Sequence, residues 1–96
     1  MNPDIEKIKS SIKGILITSG VRRAALFGSI VRGEQTPDSD IDLLIEFVPG
    51  KSLLDLVGLK LDLEDMLHRK VDILTYKSLH PLLKDRILAE QEVIFG

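Results

Sequence analysis

The chain has 96 residues, enough for one hydrophobic core and no second, so a single domain over residues 1–96 is expected. Hydrophobic residues make up 44% and charged residues 29%, which excludes disorder and fibrous repeats. Thirteen Lys and Arg against fifteen Asp and Glu give a formal charge of -2, and one Tyr, three Phe and no Trp leave neither the positive field nor the stacking platform on which direct nucleic-acid binding depends. The absence of cysteine rules out a disulfide staple and a thiolate metal site and fits a reducing compartment. The N-terminus MNPDIEKIKSSIK has no apolar core of a secretion signal, and runs such as Leu43-Leu44-Ile45 fall far short of the ~20 residues that cross a bilayer. A cytoplasmic location with no membrane contact is expected.

Asn2-Pro3 reads as a cap followed by proline in the first helical turn, and Ile5, Ile8, Ile12, Ile15 and Leu16 recur at three- and four-residue spacing. This predicts an amphipathic helix to about Ser19-Gly20. Ala24 to Phe27 is a short strand stopped by Gly28-Ser29, and Ile30 to Gly33 is one helical turn. A polar loop, Gln35 to Ser39, leads to Ile41–Val48, apolar except for Asp42 and Glu46, as a strand covered on both faces would be. Ser52 caps a second long helix to about His68. Lys70 to Thr75 is a third strand, Ser78 to Glu90 a last helix, and Val93 to Phe95 an edge strand. The fold class is therefore α/β (α+β), a small sheet covered by helices.

Successive strand residues point to opposite faces, so Asp40 and Asp42 share one face while Ile41 and Leu43 share the other. Two adjacent carboxylates at the start of an apolar strand repel each other and lose solvation unless a cation neutralises them. Hard oxygen donors without Cys suit Mg²⁺ or Mn²⁺; a solvated acidic pair at a loop end is the alternative. Gly28-Ser29, at a strand-to-helix junction, is either an ordinary turn or a phosphate cradle in which the backbone approaches an anion closely. Asp72, between Val71 and Ile73, is either a third carboxylate for a two-ion site or a strand-end partner of Arg69 or Lys70.

Taken together, Gly28-Ser29-x-x-Arg32-Gly33, then, with ten residues between Ser29 and Asp40, the Asp40-Ile41-Asp42 triplet, and later Val71-Asp72-Ile73 resemble the minimal nucleotidyltransferases of the DNA polymerase beta superfamily. The resemblance implies a palm-type mixed sheet of three to four strands. It also implies two Mg²⁺ ions and transfer of a nucleoside monophosphate from a triphosphate, AMP from ATP, to a hydroxyl. By position, Gly28 and Ser29 would hold the β- and γ-phosphates, Asp40 and Asp42 would bind the metals, and Asp72 would join them and help activate the acceptor. Arg32 would either touch the triphosphate or pair with a carboxylate and brace the turn. Members of this group commonly act as antitoxins beside a helical HEPN toxin, which some inactivate by adding AMP to a tyrosine. Val31 stands where the family often has alanine, and Tyr76-Lys77-Ser78 replaces its more usual Thr-Pro-Glu type of turn.

On the helix from Ser52, Leu and Val residues cover an arc of roughly 240°, more than one sheet face buries. A stripe around Leu54 and Leu61 is expected to meet another chain, a HEPN-type protein or a second copy, unless a terminal helix covers it. Lys60 and Glu64, four apart, are expected to pair, and Gly58 to suit a close contact. His68 and His80, at helix ends, are read as caps or solvated groups, and Tyr76 carries no assigned role. Two rival functions remain: a non-catalytic nucleotide- and partner-binding module, and a small-molecule adenylyltransferase, for which the chain has no additional helical domain.

Overall fold

The computed structural model describes residues 3–33 and 40–96. The expected Asn2 cap and the polar loop Gln35–Ser39 lie outside the described residues. Helix α1 (Pro3–Thr18) precedes β1 (Val21–Phe27), the short helix α2 (Ser29–Arg32) and β2 (Ile41–Phe47). Helix α3 (Leu53–Leu67), β3 (Val71–Thr75), a 3₁₀ turn (Tyr76–Ser78), α4 (Pro81–Glu90) and β4 (Glu92–Phe95) complete the chain. The last helix thus begins three residues later than the sequence predicts, because Tyr76–Ser78 closes its own turn through the Thr75 side chain, which accepts from the Ser78 N–H.

The four strands form one mixed sheet of order β3-β2-β1-β4. β1 runs antiparallel to both β2 and β4, and β2 runs parallel to β3, the parallel pair being joined through α3 as such pairs must be. Strand alternation then divides the core. Ile41, Leu43 and Ile45 face α1 and α3, where they meet Ile5, Ile8, Ile12, Leu16, Leu59 and Leu63. On the opposite face Phe27 and Leu44 pack with Leu79 and Ile87, so α4 roofs only part of that face.

Helix α3 buries Leu59 and Leu63 and leaves Leu53, Leu54, Val57 and Leu61 exposed, Leu54 at 82%. Neither terminal helix covers the stripe. Lys60 and Glu64 do not pair: Glu64 Oε2 instead accepts the Val71 N–H at 2.9 Å, since the start of β3 needs an acceptor that α3 alone can supply. Nothing among the described residues lies within 4 Å of a Cβ placed at Gly58, so no contact within the described chain requires this glycine. No described helix is long and apolar enough to cross a membrane.

Candidate active site

The site begins where β1 ends. Phe27 stands opposite Asp42 in the antiparallel register, so the next residue, Gly28, is pressed against the Asp42 carboxylate. Gly28 has φ 80° and ψ -151°, a region that L residues rarely enter, and a Cβ here would overlap Asp42 Oδ2. Glycine is therefore required twice, by backbone conformation and by space. The Gly28 carbonyl then accepts from the Val31 and Arg32 amides at 3.1 and 3.2 Å, which winds α2 directly off the bend with Ser29 as its first residue.

Asp42 and Asp72 are register partners on the parallel strands β2 and β3 and share the face that α4 leaves partly open. Asp40 precedes β2 by one residue and is half-buried. Burial, and after it the neighbouring charges of Asp72 and Asp40, push the Asp42 carboxyl from its ordinary 3.8 up to about 6, against an opposing pull from Arg32. Such a carboxylate is held charged at neutral pH against its surroundings, the condition that a bound cation relieves. The three aspartates offer hard oxygens, which fit Mg²⁺ better than zinc. As they stand, no three His, Cys, Asp or Glu side chains among the described residues converge as a group that could hold a metal ion. The fit is thus of donor chemistry and charge, with further oxygens to come from substrate and water.

Sequence reasoning missed Glu90. Its Oε1 accepts the Gly28 N–H at 3.3 Å and pairs with Arg32 Nη1 at 3.1 Å. Arg32 thus pairs with a carboxylate beside the bend. The sequence places Glu90 at the end of the last helix but gives no signal that α4 and β4 carry it back to Gly28. A cleft of about 430 Å³ opens beside the acids, lined by Phe27, Asp42, Lys60, Asp72 and Leu74 among others.

The two histidines stay out of the site. His68 ends α3 in the left-handed conformation, donating its N–H to the Glu64 carbonyl at 2.9 Å. His80 caps the start of α4 by accepting the Leu82 N–H on Nδ1 at 3.1 Å, the first of the two readings given for it. Tyr76 lies under the Arg23 guanidinium, 3.9 Å from ring centroid to Cζ, and donates its hydroxyl to Gln91 at 3.1 Å, bracing the 3₁₀ turn.

The raised Asp42 pKa has a stability consequence. The folded state binds this proton more tightly than the unfolded chain, so ionised Asp42 opposes folding fully above pH 6 and not at all below the ordinary value of 3.8. Asp42→Asn should raise the cation-free protein's stability at pH 7 by about 1 kcal/mol, allowing for a half-exposed carboxyl. Chemical denaturation from pH 4 to 8 should show that gain shrinking toward zero at the acid end.

Carboxylates on adjacent strands of a mixed sheet, beside a glycine bend that opens a short helix, define a centre of the nucleotidyl-transfer class. Residues 5–94 match the family model of the nucleotidyltransferase domain, and the chain belongs to that family. A Methanocaldococcus jannaschii protein provisionally named a protein adenylyltransferase is 60% identical over 87 residues, covering 91% of this chain and 94% of that protein. A solved structure provisionally described as a minimal nucleotidyltransferase superposes with TM-score 0.81 at 37% identity, covering 93% of this chain and 91% of the other. The same fold recurs, at TM-score 0.74 and 18% identity, in a complex of a tri-AMPylated Shewanella oneidensis HEPN toxin with an MNT antitoxin, over 95% of this chain and 71% of that one. The chain is a nucleotidyltransferase with the fold of the minimal group, as the spacing of its glycine and aspartates implies.

Proposed function

We propose that the protein transfers AMP from ATP to a hydroxyl of a HEPN-type helical partner, in a Mg²⁺-dependent reaction, and thereby acts as that partner's antitoxin. The observation that carries the reading is the Asp42 carboxyl, pushed up to about 6 beside Asp72 and the Gly28 bend. The names of the relatives supply protein adenylylation, and the antitoxin complex supplies the partner class.

Asp40, Asp42 and Asp72 would hold the metal, which, when bound, neutralises charge developing on the phosphates. The remaining steps belong to the chain. Gly28 and Ser29 admit the triphosphate tail to the backbone at the start of α2, where helix-start amides favour an anion once Glu90 yields the Gly28 N–H. The acceptor oxygen forms a bond to the α-phosphorus as the bond from that phosphorus to the bridging oxygen breaks. Pyrophosphate leaves with that oxygen, and the hydroxyl proton passes to the Asp72 carboxylate.

Glu90 occupies the Gly28 amide that the triphosphate would use. Removing its charge by Glu90→Gln should tighten ATP binding by roughly three- to tenfold, the worth of one like charge near a phosphate at partial exposure; calorimetry with ATP and Mg²⁺ measures it. The function itself is tested by incubating the chain with ATP, Mg²⁺ and a HEPN-type helical protein from the same source. Mass spectrometry should find the partner heavier by AMP groups. Nucleotide binding without any such gain would replace this reading with that of a binding module.

A further inference from the structure

We propose that the outer edge of β3 receives the protein acceptor as one added strand, which carries the modified hydroxyl to Asp72; this rests on the preceding reading that the acceptor is a protein. Among the described residues β3 ends the sheet, with β2 on one side only. The Ile41 N–H donates to the Lys70 carbonyl at 2.9 Å, so by strand alternation residues 70, 72 and 74 turn their backbone groups toward β2. Residues 71, 73 and 75 turn theirs outward.

The two ends of that outer edge are already satisfied. The Val71 N–H goes to Glu64 at 2.9 Å and the Thr75 N–H to Ser78 Oγ at 3.2 Å. Between them the Ile73 N–H and carbonyl meet no side chain among the described residues. An edge blunted at both ends and open in the middle discourages indiscriminate pairing while leaving one residue able to exchange two hydrogen bonds with an antiparallel segment.

The cleft lies in the same place. Asp42 and Asp72 stand on one face of the sheet and α3 packs on the other, yet one cleft of about 430 Å³ is lined by both carboxylates, by Ile73 and Leu74, and by Leu56, Val57 and Lys60 of α3. It must therefore wrap the β3 edge. Side chains of an added strand alternate as those of β3 do. The residue bridging Ile73 would turn toward Leu56 and Val57, and its neighbour in sequence would turn with Asp72 toward the carboxylates. The acceptor is accordingly an extended segment with an apolar residue beside the hydroxyl-bearing one.

The test uses the 96-residue chain with the HEPN-type partner of the preceding section. Ile73→Pro removes the outward N–H and should lower kcat/KM for AMP transfer by about tenfold or more, mainly through KM for the partner, as expected for lost backbone bonds. The Kd for ATP and Mg²⁺ should stay within about twofold, and Ile73→Val, which keeps the N–H, should transfer at near wild-type rate. Proline can disturb a strand, so a second measurement uses the unaltered strand: amide exchange at Ile73, read by NMR, should slow when inactive Asp42→Asn protein binds the partner. Unchanged transfer by Ile73→Pro, or unchanged exchange at Ile73 in the complex, overturns the edge assignment. If the wild-type chain binds nucleotide yet never modifies the partner, the acceptor reading fails first and the edge proposal falls with it.

Discussion

Gly28→Ala should cut nucleotidyl transfer by on the order of 10²-fold while leaving a folded protein. The added methyl meets two obstacles at once. The backbone at φ 80° disfavours any L side chain by about 1 kcal/mol or more, and the methyl carbon would clash with Asp42 Oδ2. Either the carboxylate turns away or α2 shifts off the end of β1. Both displace the acid from the proposed phosphate cradle, and a misplacement near 1 Å is enough for a loss of this size. Circular dichroism should report an intact fold, and kcat/KM for AMP transfer should carry the defect. An alanine variant with wild-type kinetics would mean that the bend and the carboxylate do not work as one unit.

Asp42→Asn should be more severe, lowering transfer by about 10³-fold or more, as the proposed metal-holding role of this charge requires. The same substitution should stabilise the cation-free fold at neutral pH, because it removes a carboxylate whose ionised form is disfavoured by burial and by Asp72. Activity and stability thus move in opposite directions, the pattern of a site that holds charge at a cost to the fold. A residue present only to solvate a loop end would show neither effect. Measuring kcat beside the denaturation midpoint of the one variant separates the two possibilities.

The parts of the site that were legible in the sequence are those written in local pattern. Alternation along Ile41 to Phe47 placed Asp42 on the face opposite Ile41 and Leu43, and Asp72 between Val71 and Ile73 fell on a comparable face. The parallel register that makes Asp42 and Asp72 direct neighbours confirms the geometry behind that inference. Gly28-Ser29 was recognisable as a bend, although not that a side chain there would strike Asp42. Contacts that the chain closes over long distances were invisible. Glu90 lies 62 residues from the amide it accepts, and no periodicity reports such a return. Glu64 was assigned to Lys60 on helical spacing alone, whereas the first amide of β3 competes for it and wins, because a strand-edge N–H next to a helix has few other acceptors. The stripe on α3 is apolar and stays exposed among the described residues, since its arc exceeds what α1 and one sheet face bury.

The most direct measurement follows the cation itself. With Mn²⁺ substituted for Mg²⁺ and a non-hydrolysable ATP analogue added, paramagnetic broadening of backbone amides in a 10.7 kDa protein can be read residue by residue. The amides of Gly28, Asp40, Asp42 and Asp72 should broaden first, and in Asp42→Asn they should remain sharp at the same Mn²⁺ concentration. Broadening centred on another part of the surface, with these four unaffected, would contradict the assignment of the aspartates and the glycine bend as the transfer centre.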